Sequence, residues 1–457
     1  MPYFLSYCCG VLDKAGHEVK IIDAVTREWS RQQTMDFVKS FQPDLVVVDT
    51  GTPSIYNDVE VAAEIKKLLP AAHVTLVGVH PTRVPDETFK LSENIDSICR
   101  GEYDYTVRDL AQALQEKKSL TAIAGLSFRD ENKKIIHNKD RELIKNLDEL
   151  PFVSEVYKKQ FGKDGIKKYF YASLKHPQIT ILTARGCPFS CSFCPIPFKQ
   201  SYRSRSPENI VAEFEYIKRE LPYVKEIMLE DDTFPLNKQR TIRICDLLIE
   251  KKIKLQWSCN ARVDTDYETL QKMKQAGLRL MCVGFESPTQ EVLEKIHKKT
   301  TRELQMEFMK NTKKLGLLVN GCVILGLPGD TRQTIRDTIE FTKELNPDTM
   351  QFYGPYAYPG TELWDWAKKN NMLVSEDYSK LLTKNGEHMS NVRMSDMSVE
   401  EIFDACNQAL REFYLRRVYI WMKLKQVLRH PDEAKRTFIA GVQRGFFKKL
   451  IMPPKSK

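Results

Sequence analysis

Short apolar runs alternate with amphipathic helical segments along most of this chain. In the first quarter, runs rich in β-branched residues predict strands at residues 17–22, 44–49, 73–78 and 95–99. Helical periodicity marks residues 59–69 and 105–115. This alternation predicts an α/β fold with a Rossmann-like, doubly wound parallel sheet. Residues 3–15 show a helical pattern, so the strand with which such a domain normally begins is missing from the pattern.

A second alternation of strands and helices starts at residue 178. Its six predicted strands lie at residues 179–183, 226–230, 255–260, 278–285, 318–325 and 349–353. Six strands that alternate with helices predict a partial (β/α)6 barrel of the TIM type, in which the chemistry sits at the C-terminal ends of the strands. Ser206 and Pro207 supply a cap and an N-terminal proline for one of the helices. Beyond residue 377 the pattern is helical.

The net charge is concentrated at the C-terminal end. The 457 residues carry 70 Lys and Arg against 61 Asp and Glu, a net charge of +9, and residues 411–457 alone hold 13 basic and 3 acidic residues. The remainder is close to neutral, which argues against a nucleic-acid groove through the main fold. With 42% hydrophobic residues, disorder and a small disulfide scaffold are both excluded. We expect a soluble cytoplasmic protein, because no apolar run reaches the roughly 18 residues that span a bilayer and no signal-peptide pattern is present.

Three of the eleven cysteines fall within eight residues: Cys187, Cys191 and Cys194. The odd total and the absence of a secretion signal make a disulfide framework a poor interpretation, and metal ligation a better one. Three thiolates from one loop can hold three irons of a cubane cluster and leave the fourth open. Zinc would need four protein ligands, and no second Cys or His pair follows at suitable spacing. The structural alternative is three incidental cysteines in a loop.

This motif, with Phe193 before its third cysteine and its place after the first barrel strand, resembles the radical S-adenosylmethionine (SAM) superfamily. Further matching segments follow the later strands at residues 230–234, 258–262, 284–287, 321–329 and 358–361. The resemblance implies that the three cysteines ligate a [4Fe-4S] cluster, and that reductive cleavage of SAM there gives a 5′-deoxyadenosyl radical. It implies SAM contacts from Phe193, Asp231, Asp232, Arg262, Glu286, Ser287 and Gly326.

The chemistry of SAM agrees with these assignments. Its amino group needs a carboxylate, its carboxylate a cation, and its ribose hydroxyls acceptors. Asp231 or Asp232, Arg262 and Glu286 offer these groups. Taken singly, each residue also has a structural interpretation. Asp231 fits a helix cap, Arg262 fits half of a surface ion pair, and Glu286 fits a solvated loop acid. Beyond the cluster ligands, we assign no catalytic residue.

The first domain resembles the cobalamin-binding domain that precedes the radical SAM core in one large subfamily. The matching segments are residues 16–23, 43–49, 78–82 and 100–103. The resemblance implies cobalamin contacts from Thr50, Gly51, Gly78, His80, Pro81, Thr82, Gly101 and Glu102. There is no Asp-x-His-x-x-Gly motif, so His80 is not interpreted as a cobalt ligand. The alternative is a vestigial structural domain.

These patterns predict four regions: a cobalamin-binding-like Rossmann domain at 1–120, a connector at 121–177, the radical SAM barrel at 178–375 and a basic helical region at 376–457. In the last region, aromatic residues stand beside cations at 413–425 and 445–452. Such a pattern fits an interfacial helix attracted to anionic lipid, hence peripheral contact with the inner membrane face. A helix packed on the barrel with a solvated basic face is the alternative.

We therefore expect a radical SAM enzyme, with cobalamin-dependent methylation of an apolar lipid-, terpenoid- or pigment-type small molecule as the first hypothesis. An electron donor such as flavodoxin or ferredoxin is expected, and nucleic acid is not. Ring formation, coupling or rearrangement with a vestigial first domain is the alternative. A methylthiotransferase that modifies tRNA or ribosomal protein would carry three cluster-binding cysteines in the first domain and a C-terminal RNA-binding barrel. Against this alternative, the first domain offers only Cys8, Cys9 and Cys99, and the C-terminal pattern is helical. A non-enzymatic iron–sulfur electron carrier would need no SAM pocket.

Overall fold

A computed structural model describes residues 1–196, 201–383, 386–429 and residue 450. The predicted basic segment at 445–452 thus lies outside the described residues apart from Leu450. The strands are β1 (Leu45–Asp49), β2 (His73–Val77), β3 (Ser97–Cys99), β4 (Leu126–Arg129), β5 (Ile135–His137), β6 (Gln178–Ile181), β7 (Ala184–Arg185), β8 (Arg203–Ser204), β9 (Glu226–Leu229), β10 (Gln256–Ala261), β11 (Leu278–Glu286), β12 (Leu318–Ile324) and β13 (Thr349–Tyr353).

The α-helices follow the strands in the expected alternation. They are α1 (Tyr3–Lys14), α2 (Ala24–Arg27), α3 (Arg31–Phe41), α4 (Ile55–Leu68), α5 (Val79–Arg83), α6 (Pro85–Lys90), α7 (Asp104–Gln115), α8 (Val153–Gln160), α9 (Gly162–Ile166), α10 (Pro207–Glu220), α11 (Lys238–Glu250), α12 (Tyr267–Gln275), α13 (Gln290–Lys295), α14 (Arg302–Leu315), α15 (Arg332–Leu345), α16 (Glu362–Lys369), α17 (Val399–Tyr414) and α18 (Arg417–Arg429). In the described part of the chain, no helix combines the length and the apolarity that a membrane span requires.

The first sheet has the order β1-β2-β3-β4-β5. Strands β1, β2 and β3 are parallel, which confirms the α/β fold predicted for this part. The strand predicted at 17–22 is wrong, because that segment pairs with no strand in the described part of the chain. Its backbone bonds to a side chain instead: Ile21 N donates to Gln160 Oε1 (3.1 Å), and Gln160 Nε2 donates to the carbonyl of Val19 (3.0 Å).

The predicted connector contributes to this first sheet. Strands β4 and β5 form an antiparallel hairpin that pairs with β3. The sheet therefore extends past residue 120, where the sequence placed the end of the first domain.

The second sheet is the predicted partial barrel. All six strands pair in parallel in the order β13-β12-β11-β10-β9-β6, and each lies where the apolar pattern placed it. Ser206 caps α10 as predicted, accepting from Asn209 N at 3.2 Å, and Pro207 is its first residue. Because parallel strands end on one side, the loops that carry the motifs meet at one rim.

Helix α1 lies between the two sheets. Tyr7 and Val11 pack in the barrel core, whereas Cys8 and Leu12 pack in the core of the first sheet. The Tyr7 hydroxyl accepts from Leu182 N (3.1 Å) and donates to the Leu182 carbonyl (3.2 Å), just before the cluster motif. One helix thus anchors both sheets.

Candidate active site

The three motif cysteines lie on the loop between β7 and β8, which we call the cluster loop. All three are half-buried, so their thiols are accessible as ligands. The loop opens at Gly186, whose φ of +84° and whose closeness to the Ser201 carbonyl leave no room for a side chain; a Cβ would lie 2.5 Å from that oxygen. A backbone position that only glycine tolerates therefore directs the chain into Cys187.

Each cysteine of the cluster loop has a cation near it. Arg262, Lys298 and Arg83 interact electrostatically with Cys187, Cys191 and Cys194, respectively. Burial raises the pKa of the Cys187 thiol, and the Arg262 cation opposes this rise. The Arg262 guanidinium also stacks 3.7 Å from the ring centroid of Phe189 in the cluster loop.

The donor set fits an iron–sulfur cluster. Within the described residues, no three His, Cys, Asp or Glu side chains stand close enough to hold a single metal ion. Three half-buried thiols on one loop suit a larger, cubane group that takes one ligand on each of three irons. Three nearby cations balance the negative charge that thiolates and a cluster bring together.

The acidic stretch after β9 divides into two kinds of carboxylate. Asp231 is buried, and its oxygens accept from Thr183 N (2.6 Å), from Ala184 N (3.0 Å) and from the Thr183 hydroxyl. It therefore fastens the strand that leads into the cluster loop. Asp232 lies by the backbone of Gly186, and burial, then the charges of Asp231 and Glu230, raise its pKa to about 6.

The acid predicted to contact the ribose, Glu286, is the last residue of β11 and has an unusual backbone conformation. Glu286 has a φ of +63° at an irregularity in the register of β11 with β12. Its carboxylate lies over Gly284, where a Cβ would collide with it. The Ser287 hydroxyl accepts from Thr289 N (3.2 Å), and Ser287 is buried.

The turn at residues 296–299, which we call the platform turn, was missed by the sequence analysis. Ser192 N in the cluster loop donates to the Ile296 carbonyl (3.1 Å). Arg262 Nη2 donates to the carbonyls of Lys298 (3.3 Å) and Lys299 (3.1 Å). No sequence motif marks this turn, although it contacts both the cluster loop and Arg262, a residue predicted to bind SAM.

Gly326, which follows β12, has a φ of +96°, and its N–H donates to Asp330 Oδ2 (3.0 Å). A Cβ there would lie 2.9 Å from the Ile402 side chain of α17, so the C-terminal region packs on this turn. Phe193 packs against the apolar cluster that includes Leu293 and Leu327.

The loops predicted to contact cobalamin meet at one edge of the first sheet. Gly78 has a φ of +111°, and the Thr50 carbonyl leaves no room for a Cβ. The Thr82 hydroxyl donates to the Gly78 carbonyl (2.7 Å) and accepts from Gly101 N (3.1 Å). The Thr50 hydroxyl donates to Asp58 Oδ2 (2.5 Å). The edge is thus a set of interlocked loops.

His80 and Pro81 are buried at this edge. His80 Nδ1 lies 3.1 Å from the Thr52 hydroxyl oxygen, and Gly51 N donates to the Ser54 hydroxyl at 3.3 Å. Burial lowers the pKa of His80 to about 4, so the imidazole is neutral at pH 7. Its ring meets that of Tyr378, from the C-terminal part of the chain, at 4.9 Å in edge-to-face geometry.

Glu102, predicted as a cobalamin contact, takes part in a buried ion network. It accepts from Arg203 Nη1 (2.7 Å) and Ile144 N (2.8 Å), and Arg185 Nη1 lies 3.6 Å away. Arg185 also donates to both oxygens of Asp104, at 2.7 and 3.2 Å. Because Arg185 lies two residues before Cys187, this network joins the first domain to the base of the cluster loop.

Two buried phenols support a fit to cobalamin. Among the described residues, the hydroxyls of Tyr103 and Tyr356 have no hydrogen-bond partner. Tyr103 interacts electrostatically with Asp49, the last residue of β1, whose pKa is raised to about 6 by burial and then by Asp58. Buried polar groups are normally bonded, so these hydroxyls suit a ligand rimmed with polar groups, such as the amides of a corrin.

Comparison with known proteins identifies the domain to which each of the two sites belongs. A sequence model of the radical SAM superfamily matches residues 181–342, and one of the B12 binding domain matches residues 2–111. Over 451 residues the chain is 31% identical to a protein of Pyrococcus horikoshii named an uncharacterized methyltransferase, covering 98% of this chain and 94% of that one. It is 24% identical to the anaerobic magnesium-protoporphyrin IX monomethyl ester cyclase of Rubrivivax gelatinosus, over 98% of this chain and 79% of the relative.

A similar fold occurs in the cobalamin-dependent S-adenosylmethionine radical enzyme OxsB, solved with aqua-cobalamin and SAM. The TM-score is 0.71 at 17% identity, covering 97% of this chain and 69% of that one.

The chain belongs to the radical SAM superfamily. Within it, the chain is of the kind that carries an N-terminal B12-binding domain. It is an enzyme whose cofactors are a [4Fe-4S] cluster, SAM and cobalamin, which confirms the predicted class and cofactors.

Proposed function

We propose that this enzyme methylates an unactivated carbon of a small molecule in a cobalamin-dependent radical reaction. The near-full-length relative named a methyltransferase supports this proposal. The observation that carries it is the buried network of Glu102, Asp104, Arg185 and Arg203. It ties the B12-binding domain to the strand that enters the cluster loop, which supports a reaction that uses both cofactors on one substrate.

The proposed net reaction balances with two SAM molecules and two electrons. The substrate C–H bond breaks, its hydrogen passes to 5′-deoxyadenosine, and a C–CH3 bond forms. One SAM yields methionine and 5′-deoxyadenosine, and the other yields S-adenosylhomocysteine. When bound, the cluster supplies the electron that cleaves SAM and cobalamin supplies the methyl-transfer chemistry; flavodoxin or ferredoxin is the proposed electron donor.

The chain's own residues would bind and orient SAM. We assign the amino group to Asp232, because hydrogen bonds to the cluster-loop strand already occupy Asp231. Arg262 would bind the carboxylate beside Cys187, and Glu286 the ribose hydroxyls. Asp231 then acts by holding the loop in place.

The barrel lumen bears on the substrate. Met228 and Leu280 belong to an apolar cluster deep in it. Two residues further along these strands, Asn320 Nδ2 lies 3.6 Å from Cys282 Sγ, and Asn320 Oδ1 accepts from Gln351 at 3.3 Å. These uncharged polar groups support a substrate whose reacting part carries neutral hydrogen-bonding groups. The apolar lipid-, terpenoid- or pigment-type substrate expected from the sequence stays a prediction.

A non-methylating radical reaction that forms a ring is the second candidate, because the Rubrivivax gelatinosus relative is named a cyclase. Its net reaction would consume SAM without forming S-adenosylhomocysteine. The products therefore separate the two candidates.

The deciding experiment is anaerobic reconstitution with iron, sulfide and hydroxocobalamin, followed by reduction in the presence of SAM and mass spectrometry. 5′-Deoxyadenosine together with S-adenosylhomocysteine is expected for methylation. 5′-Deoxyadenosine alone, with cobalamin retained, would favour the cyclase. A cluster-loaded protein that forms neither product would refute radical SAM chemistry, and a Cys191→Ala variant is the matched blank.

Helix α18 supports a separate proposal of peripheral membrane contact. Val418, Trp421 and Leu428 on it are exposed apolar side chains, and Arg417 and Lys425 lie on the same helix. Flotation with vesicles containing phosphatidylglycerol tests this; Trp421→Ala should reduce binding, and wild-type protein that does not float would refute it.

A further inference from the structure

Lys298 is a buried cation that no sequence motif indicated. Its Nζ lies 2.8 Å from Glu286 Oε1, and the two side chains are only 12% and 8% exposed. Cys191 Sγ of the cluster loop lies 4.0 Å from the carbonyl oxygen of His297, the residue before Lys298, and the Lys298 ammonium group interacts electrostatically with that cysteine. An enclosed ion pair gains little net stability, because desolvation of both charges offsets their attraction. Stability alone therefore does not account for this pair.

The backbone on both sides of Lys298 is in the left-handed conformation. His297 and Lys299 on either side have φ values of +56° and +48°. Left-handed conformations cost about 1 kcal/mol or more for residues other than glycine, so contacts must hold them. Those contacts are with Ser192 in the cluster loop, 3.1 Å from the Ile296 carbonyl, and with Arg262.

The platform turn thus connects three parts of the site through consecutive residues. Its backbone contacts the cluster loop and Arg262, and the side chain at its centre holds Glu286. In addition, Lys298 places a positive charge next to the cluster loop, since its neighbour His297 contacts Cys191. A cluster with three thiolate ligands is negatively charged, and reduction adds one more negative charge. A nearby buried cation therefore stabilises the reduced form more than the oxidised form.

We propose that Lys298 is a positioning residue with two separable effects: its hydrogen bond orients Glu286 towards the ribose of SAM, and its charge favours reduction of the cluster. This inference rests on the proposed role of Glu286 at the ribose.

Three substitutions separate the two effects. Lys298→Met removes both the charge and the donor, Lys298→Gln removes the charge but keeps a donor, and Lys298→Arg keeps both. Two measurements read them: an EPR-monitored redox titration of the reconstituted cluster, and equilibrium dialysis with 5′-methylthioadenosine. The second probe keeps the ribose and lacks the amino-acid group, so its binding reports on Glu286 and not on the cluster.

Lys298→Met should make cluster reduction about tenfold less favourable, which equals 59 mV for a one-electron couple. It should also weaken 5′-methylthioadenosine binding about tenfold, the size of one hydrogen bond to a charged group. Lys298→Gln should show the redox shift with nearly unchanged nucleoside affinity, and Lys298→Arg should resemble wild type. Should Lys298→Met not fold, Lys298→Gln tests the charge by itself.

The matched control is Lys251→Met, which removes a lysine paired at 2.9 Å with Glu215 on the outer surface. Wild-type potential and nucleoside affinity in Lys298→Met, with wild type itself active, would overturn this inference and leave the proposed function standing. A wild-type protein that takes up no cluster and forms no 5′-deoxyadenosine would overturn both.

Discussion

The buried network between the first domain and the cluster loop allows a quantitative prediction. Arg185 pairs with Asp104 at 2.7 Å, and both side chains are 3% exposed. Its guanidinium also stacks 5.3 Å from the Tyr7 ring centroid. Arg185→Met leaves Asp104 and Glu102 buried without this cation, and removing one partner of such a pair costs about 3–5 kcal/mol. We expect the free energy of unfolding to fall by about 4 kcal/mol.

The assay is urea unfolding of the cofactor-free protein, followed by tryptophan fluorescence and by far-ultraviolet circular dichroism. Because the network joins two sheets, the first-domain transition should separate from that of the barrel in Arg185→Met. The double variant Arg185→Met with Asp104→Asn should regain part of the loss, since it no longer leaves that charge unpaired.

The control is Arg243→Met, whose pair with Glu208 at 3.2 Å is 51% and 61% exposed. An exposed pair contributes about 0–1 kcal/mol, so this variant should unfold almost like wild type. If Arg185→Met loses no more stability than Arg243→Met, the network does not couple the domains and the reasoning fails.

Further predictions concern single residues of the two sites. Gly78→Ala should lower the free energy of unfolding by about 2 kcal/mol or more and reduce the cobalamin retained, because a Cβ at this position collides with the Thr50 carbonyl. Gly16 also has a positive φ but has open space around it, so the control Gly16→Ala should lower the free energy of unfolding by only about 1 kcal/mol in the same assay. Asp231→Asn should cost about 1–3 kcal/mol and reduce cluster uptake, read as iron per protein, because the Asn side chain keeps one oxygen for the Thr183 and Ala184 N–H groups but puts an amide nitrogen, which cannot accept from the Thr183 hydroxyl, in place of Oδ2; uptake equal to wild type would contradict this. For His80, the folded-state pKa of about 4 lies below the ordinary 6.5, so its contribution of up to about 3 kcal/mol is present above pH 6.5 and is lost as pH falls towards 4. His80→Gln should flatten stability over that interval, and an unchanged pH profile would show that another group is responsible.

Much of the barrel site was predictable from the sequence, because strand ends are a local signal. Each predicted barrel strand exists, and parallel pairing brings their C-terminal ends to one rim. The cysteine spacing identified the cluster loop for a similar reason, since three ligands within eight residues need no distant partner to be recognised.

The wrong strand and the contacts that the sequence did not indicate have a common cause. The run at 17–22 is apolar in the right pattern, but a strand also needs a neighbour, and Gln160 supplies its hydrogen bonds instead. Glu102 and Asp231 have suitable chemistry for a ligand, yet their carboxylates bond to arginines and to backbone N–H groups far away in sequence. A sequence shows which groups are available but not which partners occupy them.

The sequence by itself determined the enzyme class, the predicted set of cluster ligands and the alternation that builds the parallel strands of both sheets, because spacing and periodicity are properties of neighbouring residues. Only the tertiary structure decided which carboxylates are already bonded to backbone N–H groups and arginines, how the B12-binding domain is fastened to the cluster loop, and that Lys298 pairs with Glu286 on a turn that contacts this loop. Burial and charge pairing depend on residues that meet only after folding, and those encounters set the energy of a buried ion.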